Sequence, residues 1–370
     1  MENRHVDGLI VAAGLSSRMG EFKPLLPLNG NTMIENAADV LRPYTHELYV
    51  VTGKRNEEVE AVLRSREARF LYNENYAVSD MFESVRLGIN AMSAESEGFF
   101  FLPGDVPLVS EYTIKTMLNV WKSDQTLVIQ PTYRGKPGHP PFISAECYSY
   151  ITHYSGDNGL RGALDFFKDK TKQLNTPDPA ILLDADKPED YNRLVQYAQN
   201  RGIPSLELCE DIWECFRTPK LVIGHSRKVT DVAMNIAMKL TQAGHALNLE
   251  LVRVSALLHD IAKGADNKNH DSLGSEWLND LGYPEVARVV ASHTDLPEEA
   301  LDLLDERAVV HLADKLVQGG TVVTLEQRFQ KPADRYNGDE KAMEAIFRRK
   351  RIALTLQERI QALIQPNEKE

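Results

Sequence analysis

Cysteine is scarce: the 370 residues hold three, Cys147, Cys209 and Cys215. They form neither a metal-type pair nor a disulfide framework, which fits a reducing cytoplasm. Long apolar runs are missing as well. No segment approaches the roughly 18 to 20 residues a membrane span needs. The N-terminus has no charged-then-apolar signal pattern, so no membrane partner is expected. Positive charge is in deficit: 42 Lys and Arg against 54 Asp and Glu give a net charge of −12. That argues against nucleic-acid binding through a basic face. It leaves room for small phosphorylated substrates, which need only a local cluster of cations. No internal repeat or low-complexity tract is present. A chain this long with 42% hydrophobic and 26% charged residues suits two soluble globular domains.

The two halves follow different patterns. Up to about residue 200, short β-rich runs (8–13, 47–52, 69–72, 98–102, 126–130 and 181–184) alternate with amphipathic stretches such as 32–41, 56–64 and 79–92. This alternation predicts an α/β Rossmann-like domain: a mostly parallel sheet with helices on both faces. Ligands of such sheets bind at the carboxyl ends of the strands. "QNRGIPS" (199–205) reads as a linker. Beyond it the patterns are helical: 206–216, 221–243, 250–262, 273–281, 284–292, 307–316 and a charged stretch over 339–364. The expected domains are 1–200, 201–330 and a helical extension of the second over 331–370.

"VAAGLSSRMGEFK" (11–23) follows the first strand directly. Gly14 is expected to free the turn for unusual backbone angles and to admit a ligand close to the chain. Ser16, Ser17 and successive loop N–H groups can donate to phosphate oxygens. Arg18 offers a planar fork and Lys23 a mobile point charge. Together they suit a nucleoside triphosphate; the plainer alternative is a strand-to-helix connection with two solvated cations. "FFFLPGDVPLVS" (99–110) ends a buried strand with Asp105, which can bind Mg²⁺ or merely form a turn. "LLDADKPEDY" (182–191) repeats the device. Asp184 and Asp186 would share one face of an extended segment, although Asp186 or Lys187 could instead cap the following helix.

These stretches, with "GHPPFIS" (138–144) and "GDNGLRGAL" (156–164), resemble MobA-like nucleotidyltransferases over about 5–200, closest to the molybdenum cofactor cytidylyltransferase branch. The resemblance implies that Ala12, Ala13, Gly14 and Ser17 line the nucleotide. It implies that Arg18 and Lys23 hold the triphosphate, that Asp105 and Asp186 bind Mg²⁺, and that Ser84 contacts ribose or base. Asp80 stands where many relatives have Gly, which leaves CTP favoured and GTP open. His139 is either an acceptor contact or a turn-packing residue. The implied chemistry is attack by an acceptor phosphate on the α-phosphorus of the NTP, with pyrophosphate leaving. Positioning and electrostatics suffice for it, with no protein nucleophile or general base.

In the helical half the order His225, His259-Asp260, His270, His293, Asp314 stands out. "VSALLHDIAKG" (254–264) ends an apolar helix in an adjacent imidazole and carboxylate, whose burial is costly unless they are paired or bind metal. Mixed His/Asp ligands suit Mn²⁺, Fe²⁺, Zn²⁺ or Mg²⁺ alike. His5, His46, His153, His245 and His311 read as packing or surface residues. "GHSRKVTDVA" (224–233), "LLHDIAKG" (257–264) and "HLADKL" (311–316) resemble the HD-domain metal-dependent phosphohydrolases. By that resemblance His225, His259, Asp260 and Asp314 bind a first metal, and His270 and His293 match the extra ligands of two-metal members. Lys263, four residues after His259, is expected on the same helical face, where it could bind phosphate. Asp260 could help deprotonate the attacking water. "GYPEV" (282–286) lacks the context of a cyclic-di-GMP hydrolase signature.

The resemblances imply a bifunctional enzyme. One half transfers a nucleotide to a phosphorylated acceptor, expected to be molybdopterin. The other hydrolyses phosphoesters, and a molybdenum hydroxylase apoprotein is a candidate partner. The alternative is a transferase for a sugar- or alcohol-phosphate whose HD half is a regulatory nucleotide sensor. The charged C-terminal helix either packs on the HD core or makes a homo-oligomer contact, with Arg348–Arg351 on a solvated face.

Overall fold

A computed structural model of the chain describes residues 5–16, 19–124 and 126–364, the side chains of 298 and 299 apart. The chain divides into two compact units, Met1–Asn200 and Arg201–Glu370.

The first unit is built on one sheet. Its seven main strands are β1 (Val6–Ala12), β2 (Leu48–Thr52), β3 (Ala68–Tyr72), β4 (Gly98–Pro103), β5 (Val128–Tyr133), β6 (Phe142–Ser144) and β7 (Thr171–Asn175). They lie in the order β7-β5-β6-β4-β1-β2-β3, with a two-residue strand, Lys136–Pro137, folded back on β5. All main pairings are parallel except those of β6, which runs antiparallel to β4 and β5. Strand periodicity sorts the core onto two faces. Ile10, Val50 and Leu102 point to one face, under α1 (Met33–Leu41), α2 (Asn56–Leu63) and α4 (Glu111–Ser123). Leu9, Val51 and Phe101 point to the other, under α3 (Met81–Ala91), α5 (Tyr148–His153) and α6 (Gly159–Asp165). The expected mostly parallel sheet with helices on both faces is what forms.

Two details differ from expectation. Residues 181–184 are not a strand: Pro179–Leu182 forms a 3₁₀ turn, capped by the Asp178 carboxylate, which accepts from the Ala180 N–H at 3.1 Å. A capped turn that begins on a proline wins over β pairing there. The strand in that part of the chain is β7, an edge strand whose polar sequence "TKQLN" carries little apolar signal. The unit ends with α7 (Pro188–Asn200).

The second unit is helical: α8 (Leu206–Cys215), α9 (Lys220–Gln242), α10 (Leu249–Leu258), α11 (His270–Asp280), α12 (Pro284–Ala291), α13 (Glu298–Leu303), α14 (Glu306–Lys315), α15 (Leu325–Arg335) and α16 (Glu340–Ile364). α16 buries Ile346, Ala353, Leu356 and Ile360, and packs against α9, α14 and α15. Arg348 and Arg349 are not merely solvated. Both donate to the Asp295 carboxylate, at 3.0 and 2.5 Å. No helix among the described residues is long and apolar enough to cross a membrane.

Candidate active sites

β1 is buried along its whole length and ends at the loop that carries Gly14. β4 runs beside it and brings Asp105 to the same rim of the sheet. Gly104 permits this closeness. Its N–H donates to Val11 O at 3.0 Å, and a Cβ there would lie 3.0 Å from Ile34 Cδ1. Among the described residues of the loop, Ser16 and Gly20 have positive φ, 54° and 78°. Gly14 does not take a positive φ, contrary to expectation, and its role is space: nothing lies within 4 Å of where its Cβ would be. Ser16 Oγ accepts from the Lys23 N–H at 3.1 Å, which closes the loop.

Lys23 Nζ then donates to Asp105 Oδ2 at 3.1 Å and to Asp186 Oδ1 at 2.8 Å. Burial works against a charge on Lys23, but Asp186 and Asp105 outweigh it and raise its pKa. Two carboxylates already converging on one cation are a donor set that fits Mg²⁺, a hard ion with oxygen ligands. Asp184 adds a third carboxylate, whose pKa is raised by burial and then by Asp105, Asp186 and Asp190.

Ala12, Ala13, Gly14, Lys23, Ser84 and Asp105 line one cleft. Ser84 is buried, and its Oγ accepts from Asn73 Nδ2 at 2.9 Å. The same amide reaches Ser79 Oγ at 3.1 Å, so Asn73 organises this wall of the cleft. Sequence reasoning missed Asn73; only its place just after a strand on the rim could have flagged it. Ser17 and Arg18 lie outside the described residues. A second cavity, about 940 Å³, shares Asp80 and Met81 with the cleft and is lined by His139, Asn158 and Arg161. The "GHPPFIS" and "GDNGLRGAL" segments therefore do meet. Asp80 has a local task, accepting from the Glu83 N–H at 3.1 Å to cap α3. His139 sits edge-on to Phe101, burial lowers its pKa, and its Nδ1 is buried without a partner.

In the second unit five elements converge. α9 carries His225, the turn after α10 carries His259 and Asp260, α11 begins with His270, His293 follows α12, and α14 carries Asp314. His225 Nε2 lies 3.0 Å from Asp314 Oδ1, and His259 Nε2 lies 3.4 Å from Asp260 Oδ2 and 3.7 Å from Asp314 Oδ1. On the other side Asp260 Oδ1 lies 3.2 Å from His270 Nε2 and 3.5 Å from His293 Nε2.

The imidazoles are oriented by the backbone. The Nδ1 of His225, His259, His270 and His293 each lies within hydrogen-bond distance of a carbonyl, those of Gly319, Ala256, Asn267 and Val290. A carbonyl can only accept, so each Nδ1 carries the proton and each Nε2 is left to the centre of the cluster. This is the tautomer that metal-binding histidines adopt. Two observations fit the cluster to divalent ions. His259 Nε2 and Asp260 Oδ1 are buried with no hydrogen-bond partner. The Nε2 atoms of His270 and His293 face one another at 3.1 Å, an unfavourable meeting of lone pairs that a shared cation or proton relieves.

Without metal the charges lean on one another. Burial opposes a charge on His259, but Asp260 and Asp314 outweigh it and lift its pKa to about 10. Burial would raise Asp260, yet His259, His270 and His293 hold it far below the carboxylate range.

Lys263 departs from expectation. α10 stops at Leu258, and the next residues form turns in which Ile261 N–H donates to Leu258 O and Lys263 N–H to Asp260 O. Lys263 therefore does not share a helical face with His259. Its Nζ donates to Asp260 Oδ2 at 2.6 Å. Among the other histidines, His5 stacks on His46 at 4.0 Å and His153 bonds within its own helix. His311 is fully buried.

Residues 8–174 match the family model of the MobA-like NTP transferase domain, and residues 222–319 that of the HD domain. The molybdenum cofactor cytidylyltransferase of Escherichia coli K12 is 28% identical over 187 residues, covering 50% of this chain and 93% of that protein. A probable molybdenum cofactor guanylyltransferase of Natranaerobius thermophilus is 27% identical, covering 35% of this chain and 62% of that one. A nucleotidyl transferase structure from Methanothermobacter is 25% identical with a TM-score of 0.47, covering 53% of this chain and 99% of the other.

Proposed function

From a chain that is a MobA-type nucleotidyltransferase joined to an HD domain, we infer a bifunctional enzyme. Residues 1–200 transfer a nucleotide from an NTP to a phosphorylated acceptor, and 201–330, with 331–370 as a helical extension, hydrolyse phosphoesters. The observation that carries the first activity is the ammonium of Lys23 held between Asp105 and Asp186 at the mouth of the Gly14 cleft. CTP is the favoured donor and GTP the second, in keeping with the two relatives above. Molybdopterin is the favoured acceptor, taken into the cavity that adjoins the cleft.

In this reaction an acceptor phosphate oxygen bonds to the α-phosphorus as the bond to the leaving pyrophosphate breaks. The attacking oxygen is already ionised, so no residue has to take a proton. Lys23 and Arg18 meet the charge of the triphosphate, and Asn73 keeps Ser79 and Ser84 in place beside the nucleotide. Asp105 and Asp186 hold Mg²⁺, which neutralises phosphate charge when bound. Catalysis is positioning and electrostatics.

In the HD half His225, His259, Asp260 and Asp314 hold one divalent ion, and His270 and His293, with Asp260 between the sets, hold a second. Bound ions supply an acidified water and a phosphoryl clamp. Lys263 balances Asp260 and binds the phosphoryl group. Pyrophosphate release from CTP or GTP, with molybdopterin or with simple sugar- and alcohol-phosphates, tests the transferase. Hydrolysis of a nucleotide panel with Mn²⁺ tests the HD half. Turnover that vanishes in the H259A/D260A double variant supports a hydrolase; no retained metal and no turnover would make this half a nucleotide sensor.

A further inference from the structure

His293 is followed by no helix that could hold it. α12 has ended at Ala291, and the chain runs through turns before α13. Its main-chain carbonyl nevertheless accepts two hydrogen bonds, both from α14: His311 Nδ1 donates at 2.9 Å and Lys315 Nζ at 2.9 Å. The two donors are four residues apart and so share one face of that helix. Both are buried, as are Val309, Val310, Leu312 and Ala313 of the same helix.

A buried ammonium is strongly unfavourable unless it is fully paired. Lys315, only 6% exposed, is paired with the His293 carbonyl and with Asp314 Oδ2 at 2.8 Å. A leucine or methionine would fill the same volume without that penalty, so packing alone does not account for a lysine here. What the lysine and His311 do accomplish is to fix the peptide of His293. With its imidazole Nδ1 also bonded to Val290 O at 2.6 Å, His293 is held at both ends, with Nε2 turned to His270 and Asp260.

We propose that His311 and Lys315 are positioning residues, whose joint clamp on the His293 carbonyl aims that imidazole into the ligand set it shares with His270. The proposal rests on the two-ion reading of the HD half. One helix then serves both sets: α14 supplies Asp314 to the first and orients His293 for the second.

The test is titration of the metal-free full chain with Mn²⁺ by calorimetry, with melting temperatures as a control of folding. H225A and H270A assign the first and second binding steps by which step each removes. H311L should weaken the second step about tenfold or more, as loss of an outer-shell partner does, and leave the first within about twofold. H311N, which keeps a donor near the Nδ1 position, should restore it; a role in packing alone would not separate these two variants by the second step only. K315M gives an independent reading should H311L fail to fold. Removing a positive charge would by itself tighten cation binding, so a weaker second step in K315M reports lost positioning. Two steps in the wild type with an unchanged or tighter second step in the variants overturns the proposal alone. A wild-type chain that takes up one ion overturns the two-ion reading and the proposal with it.

Discussion

Lys23 and Asp186 lie 163 positions apart in the chain, yet the ammonium of one is 2.8 Å from a carboxylate oxygen of the other. The same ammonium holds Asp105, so one cation ties the loops that follow β1 and β4 to the turn before α7. Lys23→Ala is expected to lower kcat for pyrophosphate release by about 10²-fold or more, the scale of losing a charge-stabilising group. Its Mg²⁺ half-saturation should not rise, because the ammonium that competes for both carboxylates is gone. Near-normal kcat in this variant counts against the assignment.

Asp178 makes a second tie between those regions. Buried itself, it accepts from Ser110 N–H at 2.7 Å and Thr113 Oγ at 2.8 Å on one oxygen, and from Ala180 N–H at 3.1 Å on the other. It thus joins the segment after Asp105 to the turn that leads to Asp186. Asp178→Ala leaves buried donors without an acceptor and is expected to cost about 3 kcal/mol. Denaturant unfolding measures this, and a loss below about 1 kcal/mol would show the tie to be dispensable.

The start of α1 gives a pH-dependent prediction. Thr32 and Glu35 form a capping box, and Glu35 also accepts from Arg66 at 2.7 Å. Burial would raise the Glu35 pKa, but Thr32 and Arg66 outweigh it and hold it below its ordinary value of 4.5. A depressed carboxylate adds stability above its unfolded pKa and loses it as pH falls through the folded one. Glu35→Gln should therefore melt lower than wild type at pH 7, with the gap closing below about pH 4.5. A gap that stays constant into acid means the charge is irrelevant. Thr32→Ala should cost about 1 kcal/mol at pH 7 and less in acid, because the Thr32 hydroxyl also donates to the Glu35 carboxylate at 2.7 Å.

Much of this was legible because the chemistry sits next to regular structure. Asp105 follows a fully buried strand, and Lys23 and Gly14 follow another, so their common rim could be read from apolar runs and the rule for parallel sheets. The clustering of the HD-half histidines and acids was legible for a similar reason, since they stand beside apolar helical patterns that cannot bury them unpaired. What failed was set by tertiary contacts. β7 hides because an edge strand needs little apolar surface, whereas 181–184 has the apolar run but begins inside a turn that Asp178 caps and Pro179 starts. Lys263 was misplaced because α10 stops at Leu258, where no proline or glycine marks the end. Asn73 acts through Ser79 and Ser84 and Lys315 through the His293 carbonyl, contacts made across turns that carry no local signature.

Metal loading should be visible as stability. In the metal-free cluster His259 and His293 are buried, Asp260 is shared by four histidines and Lys263, and His259 Nε2 and Asp260 Oδ1 have no hydrogen-bond partner. An ion that binds this arrangement and not the unfolded chain stabilises by mass action, about 2.7 kcal/mol at a hundredfold excess over its Kd. Adding Mn²⁺ to chelator-treated protein should therefore raise the melting temperature of the HD half by several degrees. Asp260→Ala removes the carboxylate common to both proposed ligand sets and should abolish the rise. Asp105→Ala, a change confined to the transferase half, should leave that rise intact while pyrophosphate release falls. A melting temperature that ignores Mn²⁺ in the wild type would mean that the histidines are held together for stability alone.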